Sequence, residues 1–232
     1  FIAISQLFLI SCRSKTLDFD GILSEIPAEK IFNDMKKTAD PNGFLATAKS
    51  YYLRQKLQQN DKQIFIEMTF VFPDKSRIVT SIDGTIYSTM TYNGDKCWLV
   101  NNKGEKVKFG KEDVERFKIF NAIGGVPNIS LSDVFDNMVV YDENDAYRIV
   151  CQPKYKDLAP IAIFVGKNDM LTKKIVTMKA GELYTAEILK YSLLRGVMVA
   201  TETNIEIGRE KQRLITVDYR LNVDTEDKIF EY

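Results

Sequence analysis

The sequence predicts a mainly β domain, with about ten antiparallel strands curled around one helical segment. Three observations carry that prediction. The first is Val197–Val223, where two alternating runs meet at Gly208-Arg209-Glu210-Lys211. Val197, Val199, Thr201, Thr203, Ile205 and Ile207 share one face of the first run, opposite Glu202, Asn204 and Glu206. In the second run Ile215, Val217, Tyr219, Leu221 and Val223 oppose Thr216, Asp218, Arg220 and Asn222. Successive strand side chains point to opposite faces, so two such runs joined by a short Gly-containing turn make a hairpin. The second observation is a pair of two-residue hairpin signals, Asp83-Gly84 and Asn93-Gly94, between further apolar–polar runs. The third is a switch to helical period over Lys111–Ile123, with strand signals on both sides.

At the start of the chain, Phe1–Ser11 is apolar and uncharged. It is too short to span a bilayer as a helix and reads as the apolar stretch of a signal peptide. Leu9-Ile10-Ser11-Cys12 closes it. A Leu three positions before a Cys, with a small residue just ahead of the Cys, resembles the lipobox of bacterial lipoproteins. That resemblance implies cleavage before Cys12 and a lipid on its thiol, with no Asp after Cys12 to signal inner-membrane retention. Residues 1–11 are then a signal remnant, 12–26 a lipidated tether, and 27–232 a single domain. The competing reading is a buried N-terminal strand that ends in an ordinary Cys.

Pro27 opens a helix with Ala28, Ile31, Phe32 and Met35 on one side, and Asp40-Pro41-Asn42-Gly43 stops it. Phe44–Gln59 alternates loosely and Gln63–Phe72 sharply, with Ile64, Ile66, Met68, Phe70 and Phe72 on one face. Arg77–Ile82, Thr85–Tyr92, Lys96–Val100 and a short Lys106–Phe109 complete a meander, which curls into a barrel or a strongly bent sheet.

Lys111–Ile123 carries Val114, Phe117, Phe120 and Ile123 at helical spacing and stops at Gly124-Gly125. Ile129–Phe135 is a second helical candidate. This apolar insertion is either ordinary core filling the barrel or a lid over a cavity. Strands return at Met138–Tyr141, Ala146–Gln152, Pro160–Val165, Leu171–Met178 and Leu183–Leu194. The acidic Asp142-Glu143-Asn144-Asp145 lacks the spacing of a calcium loop and reads as a solvated turn.

Composition narrows the function. Thirty-two Lys and Arg balance thirty-two Asp and Glu, so nothing draws this chain electrostatically to nucleic acid. It contains no His, which removes Ser-His and Cys-His dyads and His-ligated zinc. Glycine-rich phosphate loops and nucleophile elbows are also absent from the sequence. Cys97 and Cys151 fall within strands, where a buried free thiol is the commoner state, although an oxidising periplasm would permit a disulfide.

Four segments taken in order resemble the LolA/LolB-like family of outer-membrane lipoprotein-sorting carriers and acceptors. They are Phe72-Pro73-Asp74-Lys75-Ser76-Arg77, Tyr92-Asn93-Gly94-Asp95-Lys96-Cys97-Trp98, Ala146-Tyr147-Arg148-Ile149 and the ending Leu221–Phe230. The resemblance implies a half-open antiparallel β-barrel whose helices close one mouth over an apolar cavity for acyl chains. It also implies no catalysis and no cofactor. The expected partners are acyl chains of lipoproteins or phospholipids, the membrane through the anchor, and lipoprotein-transport machinery. The expected place is the periplasmic side of a Gram-negative outer membrane.

The residues name the site. Glu67 and Thr69 can face water only if Ile64, Ile66, Met68 and Phe70 turn inward, joined by Met90 and Trp98 as the cavity wall. Phe117, Phe120, Ile123 and Phe135 form the lid. No metal ligands are expected. Each buried lipid methylene is worth about 0.8 kcal/mol, so acyl chains need little polar recognition. The alternative is an anchored β-scaffold with a packed interior that binds a protein or envelope partner. A carboxylate-based hydrolase ranks third.

Overall fold

In the computed structural model, which describes residues 20–59, 62–94, 96–123, 130–179 and 181–231, one antiparallel sheet carries the whole architecture. The predicted signal remnant, Cys12 and the first part of the tether lie outside those residues, as do Gly124, Gly125 and Ile129.

The chain runs β1 (Ile22–Leu23), α1 (Ala28–Ala39), α2 (Phe44–Thr47), β2 (Ser50–Gln59), β3 (Lys62–Val71), β4 (Lys75–Ile82) and β5 (Thr85–Asn93). It continues through β6 (Lys96–Asn101), β7 (Lys106–Lys108), α3 (Lys111–Ile123), α4 (Leu131–Val134), β8 (Phe135–Asp142), β9 (Ala146–Pro153) and β10 (Ile161–Gly166). The last strands are β11 (Thr172–Lys179), β12 (Glu182–Leu194), β13 (Val197–Ile207) and β14 (Glu210–Leu221), before a 3₁₀ turn at Asp227–Phe230. Spatially the order is β1-β8-β9-β10-β11-β12-β13-β14-β2-β3-β4-β5-β6-β7, so β1 and β7 are free edges and the barrel is open.

Several expectations need correction. The described part of the tether ends as β1, with Ile22 opposite Asp142 and Leu23 opposite Tyr141. Phe44–Thr47 is a helical turn, not strand, because the Asp40 carboxylate accepts the Phe44 and Leu45 amides at 2.8 and 2.7 Å. Phe135 opens β8 and does not end a helix. The founding hairpin contains a bulge. Leu214 and Tyr219 are both buried, yet five residues apart they would fall on opposite faces of a regular strand. A register shift between Thr216 and Asp218 reconciles them and leaves Val217 half exposed. Val217 therefore leaves the face it was assigned.

Curvature follows from helix α1, which packs on both β8 and β13. These strands are second and seventh in the sheet, so a flat sheet would hold them roughly 24 Å apart. A helix is about 10 Å across, so it reaches both only if the sheet curls around it. Ala28, Ile31, Phe32 and Met35 are buried there, on the side the spacing predicted.

Candidate functional site: the interior face and its helical cover

Strand register assigns every side chain to a face, since directly paired residues point the same way. One interior row runs Tyr219, Leu53, Met68, Ile78, Met90, Leu99. A neighbouring row runs Tyr51, Phe70, Ser76, Tyr92, Cys97, and Ile66 faces the same side beside Gln55. Ile64, half-buried, ends this face beside Leu57. On the other half of the sheet Val140, Ile149, Ile163, Ile175, Ala186 and Ile205 form a further row.

The sheet thus gathers Ile64, Ile66, Met68, Phe70 and Met90 on one inner face. Trp98 does not join them. It pairs with Thr91, the neighbour of the inward Met90 and Tyr92, so alternation places it on the opposite face, with the Lys106 ammonium 5.5 Å from its ring centroid. Ile66 and Met68 have no accessible surface, so both are packed.

Helix α3 lies over this interior. Phe117 stacks on Tyr92, centroids 5.3 Å apart and planes 5° from parallel. Phe117, Ile119, Asn121, Ala122 and Ile123 are all buried, which is burial nearly all round and marks a helix sunk into the fold. Helix α3 packs on β6 and α4 on β8, and the two helices pack on each other. Strands β6 and β8 are each next to an opposite edge of the sheet. The seam is therefore spanned by helices.

Between α3 and β10–β12 lies a cleft of about 40 Å³, lined by Arg116, Ile119, Phe120, Leu158, Ala159, Ile161, Thr177, Met178 and Tyr184. Ile161, Thr177 and Tyr184 pair across three strands and face inward together. Of the site residues named from sequence, only Phe120 lines this cleft; Phe117, Ile123 and Phe135 are buried but are not part of its lining. The alternation of Ile161, Ile163 and Val165, and of Tyr184 and Ala186, carried the missing signal.

Electrostatics within the interior are muted. Burial raises the Tyr51, Tyr184 and Tyr219 phenols well above their ordinary value, and pushes the Cys97 thiol up to about 12. Cys97 and Cys151 are buried free thiols. Among the described residues no three His, Cys, Asp or Glu side chains gather as a metal site would require. The acidic turn at Asp142 is served by Lys167, whose ammonium meets the Asp142 carboxylate at 2.5 Å and the carbonyl of Glu143.

No family model matches the chain, and no curated protein matches it in sequence. Solved structures do. A DUF1329 family protein from Desulfovibrio piger superposes with a TM-score of 0.60 at 14% identity, over 89% of this chain and 98% of that one. A LolA superfamily protein from Nitrosomonas europaea gives 0.57 at 12% identity, over 89% and 98%. An outer-membrane lipoprotein-sorting protein domain from Vibrio parahaemolyticus gives 0.56 at 15% identity, over 87% and 94%. The fold is the LolA-like open barrel. Its neighbours include a lipoprotein-sorting domain, and this chain shares their architecture.

Proposed function

We propose that this protein is a lipid-anchored periplasmic lipoprotein that holds acyl chains of lipoproteins or lipids inside the curved sheet. It serves lipoprotein or lipid sorting at the outer membrane. The observation that supports this most directly is the seam. Where a closed barrel would have hydrogen bonds, this sheet has the α3–α4 pair lying on an apolar face. Helices held by packing can move aside without breaking a strand ladder.

The cleft under α3 is far smaller than the 300–1,000 Å³ typical of ligand sites, so in this reading α3 moves to admit a chain. Outward movement of α3 would join the cleft to the face of Met68, Phe70 and Met90. Burying a ten-methylene stretch there is worth about 8 kcal/mol, enough to offset the displaced contacts. Cys12 supplies the anchor in this reading. The eight residue-to-residue steps from Cys12 to Asp20 span at most about 28 Å, which keeps the β1 edge near the membrane surface.

Two measurements test the reading. Native mass spectrometry and lipid extraction of the purified Cys12-free protein should recover acyl lipid, lost in a folded Phe120→Asp variant. A ligand-free protein that ignores acyl probes would instead fit a scaffold. Expressed with a complete signal in a Gram-negative host, the protein should fractionate with membranes, and Cys12→Ala should release it. Unchanged partitioning of Cys12→Ala would remove the anchor.

A further inference from the structure

We infer that the cleft under α3 is a headgroup site. It holds an oxygen-bearing lipid head, a carboxylate or an ester carbonyl, between Arg116 and Tyr184. This rests on the acyl-binding reading and adds the chemistry of what is bound.

Two donors share the cleft with no hydrogen-bond partner among the described residues. Arg116 pairs through Nη2 with Glu112 at 2.5 Å, while its Nε–H is buried and unmatched. The Tyr184 side chain is 1% exposed, faces inward from β12, and its hydroxyl is unmatched too. The third polar group of the cleft, Thr177, already donates its hydroxyl to the Pro160 carbonyl at 2.9 Å. The rest of the wall is apolar, chiefly Ile119, Phe120, Leu158, Ile161 and Met178.

Buried donors are nearly always matched, and leaving one bare costs free energy. A cleft with an apolar wall and two bare donors is complementary to a chain that ends in acceptor oxygens. Full negative charge is not required, because Glu112 already balances the guanidinium. Arg116 is the more exposed of the two and Tyr184 the more deeply buried. The head thus enters first and the chain follows along Phe120 and Met178.

The test uses three probes on the folded Cys12-free protein: palmitate, monopalmitoylglycerol, and N-phenyl-1-naphthylamine, which is apolar and lacks oxygen. Arg116→Met and Tyr184→Phe should each weaken palmitate and monopalmitoylglycerol by about tenfold, the size of one buried hydrogen bond. The naphthylamine should stay within twofold. A larger loss for palmitate than for the ester in Arg116→Met assigns the carboxylate as the preferred head, and equal losses assign the carbonyl. Tyr184→Phe should unfold in urea no earlier than the parent, because the hydroxyl it lacks had no partner to lose. If all three probes bind parent and variants alike, the headgroup site is overturned while acyl binding stands. If no probe binds the parent, both fall.

Discussion

Thr216 donates its hydroxyl to the carbonyl of Ala200 across 2.8 Å, at the point where β13 and β14 part. The last backbone pair of those strands is Glu202 with Ile215. Beyond it β13 continues on β12 alone, and β14, after its bulge, on β2 alone. Gln55, only 2% exposed, donates in turn to the Thr216 hydroxyl at 3.3 Å. A side chain thus spans a gap in the ladder. Thr216→Val keeps the shape and removes the donor, and should cost about 1–2 kcal/mol in urea unfolding. An unchanged midpoint would show that the two sheet halves do not need this bridge.

Arg148 fastens the N-terminal strand. Its Nη2 donates to the Asp20 carbonyl at 2.6 Å, its Nε pairs with Glu143 at 2.6 Å, and the guanidinium lies 4.5 Å from the Tyr141 ring centroid. Strand β1 has only two residues, both largely exposed, so few other contacts hold it. Arg148→Ala should free Ile22–Ser24 to exchange amide hydrogens at least tenfold faster, while β9 and β10 keep their protection. Retained protection at the Ser24 amide, which donates to Val140 at 2.9 Å, would contradict the clamp.

Much of this architecture was legible because strand period is a local property. The hairpin turns at Asp83-Gly84 and Asn93-Gly94 and the helix Lys111–Ile123 stand where their residues placed them. Three features were not local. Strand β1 is two residues long, too short to show a period, and it is held by partners far along the chain, its pairing with β8 and the Arg148 bond to the Asp20 carbonyl. The bulge at Val217 is invisible in a run where Ile215, Val217 and Tyr219 look continuous. Trp98, expected beside Met90, lies between Cys97 and Leu99, which hold the inward positions. The cleft was half legible. Phe120 followed from helical spacing, whereas Tyr184 and Arg116 meet only through the pairing of β10, β11 and β12.

Six buried acids favour the protonated form. Tyr51, Tyr184, Tyr191, Tyr219, Cys97 and Cys151 are all raised, each mainly by burial. A folded-state value above the unfolded one stabilises the fold below the unfolded value and is lost as pH rises through the folded one. The unfolded values are 9.0 for Cys and 10.0 for Tyr. Stability should therefore be full below about pH 9 and fall progressively above pH 10. At pH 8, Cys97 and Cys151 should react with a disulfide reagent only after denaturant is added. Rapid labelling of the native protein, or a flat stability profile from pH 9 to 11, would count against this packing.

The last prediction separates a lid from a plug. Phe117 is 2% exposed and holds α3 to the sheet through its stack on Tyr92. Phe117→Ala removes a buried aromatic and should cost about 3 kcal/mol or more. Where that cost appears decides the role of α3. In a lid, α3 opens on its own, so hydrogen exchange should rise sharply over Lys111–Ile123 and stay slow at Ile149 and Ile163, fully buried on β9 and β10. N-phenyl-1-naphthylamine should then associate faster with the variant than with the parent, because less work is needed to expose Met68, Phe70 and Met90. In a plug, the same cost is shared by the whole fold. Protection would fall evenly across helix and sheet, and probe association would not change. Hydrogen exchange read together with stopped-flow probe binding on this one variant distinguishes the two outcomes.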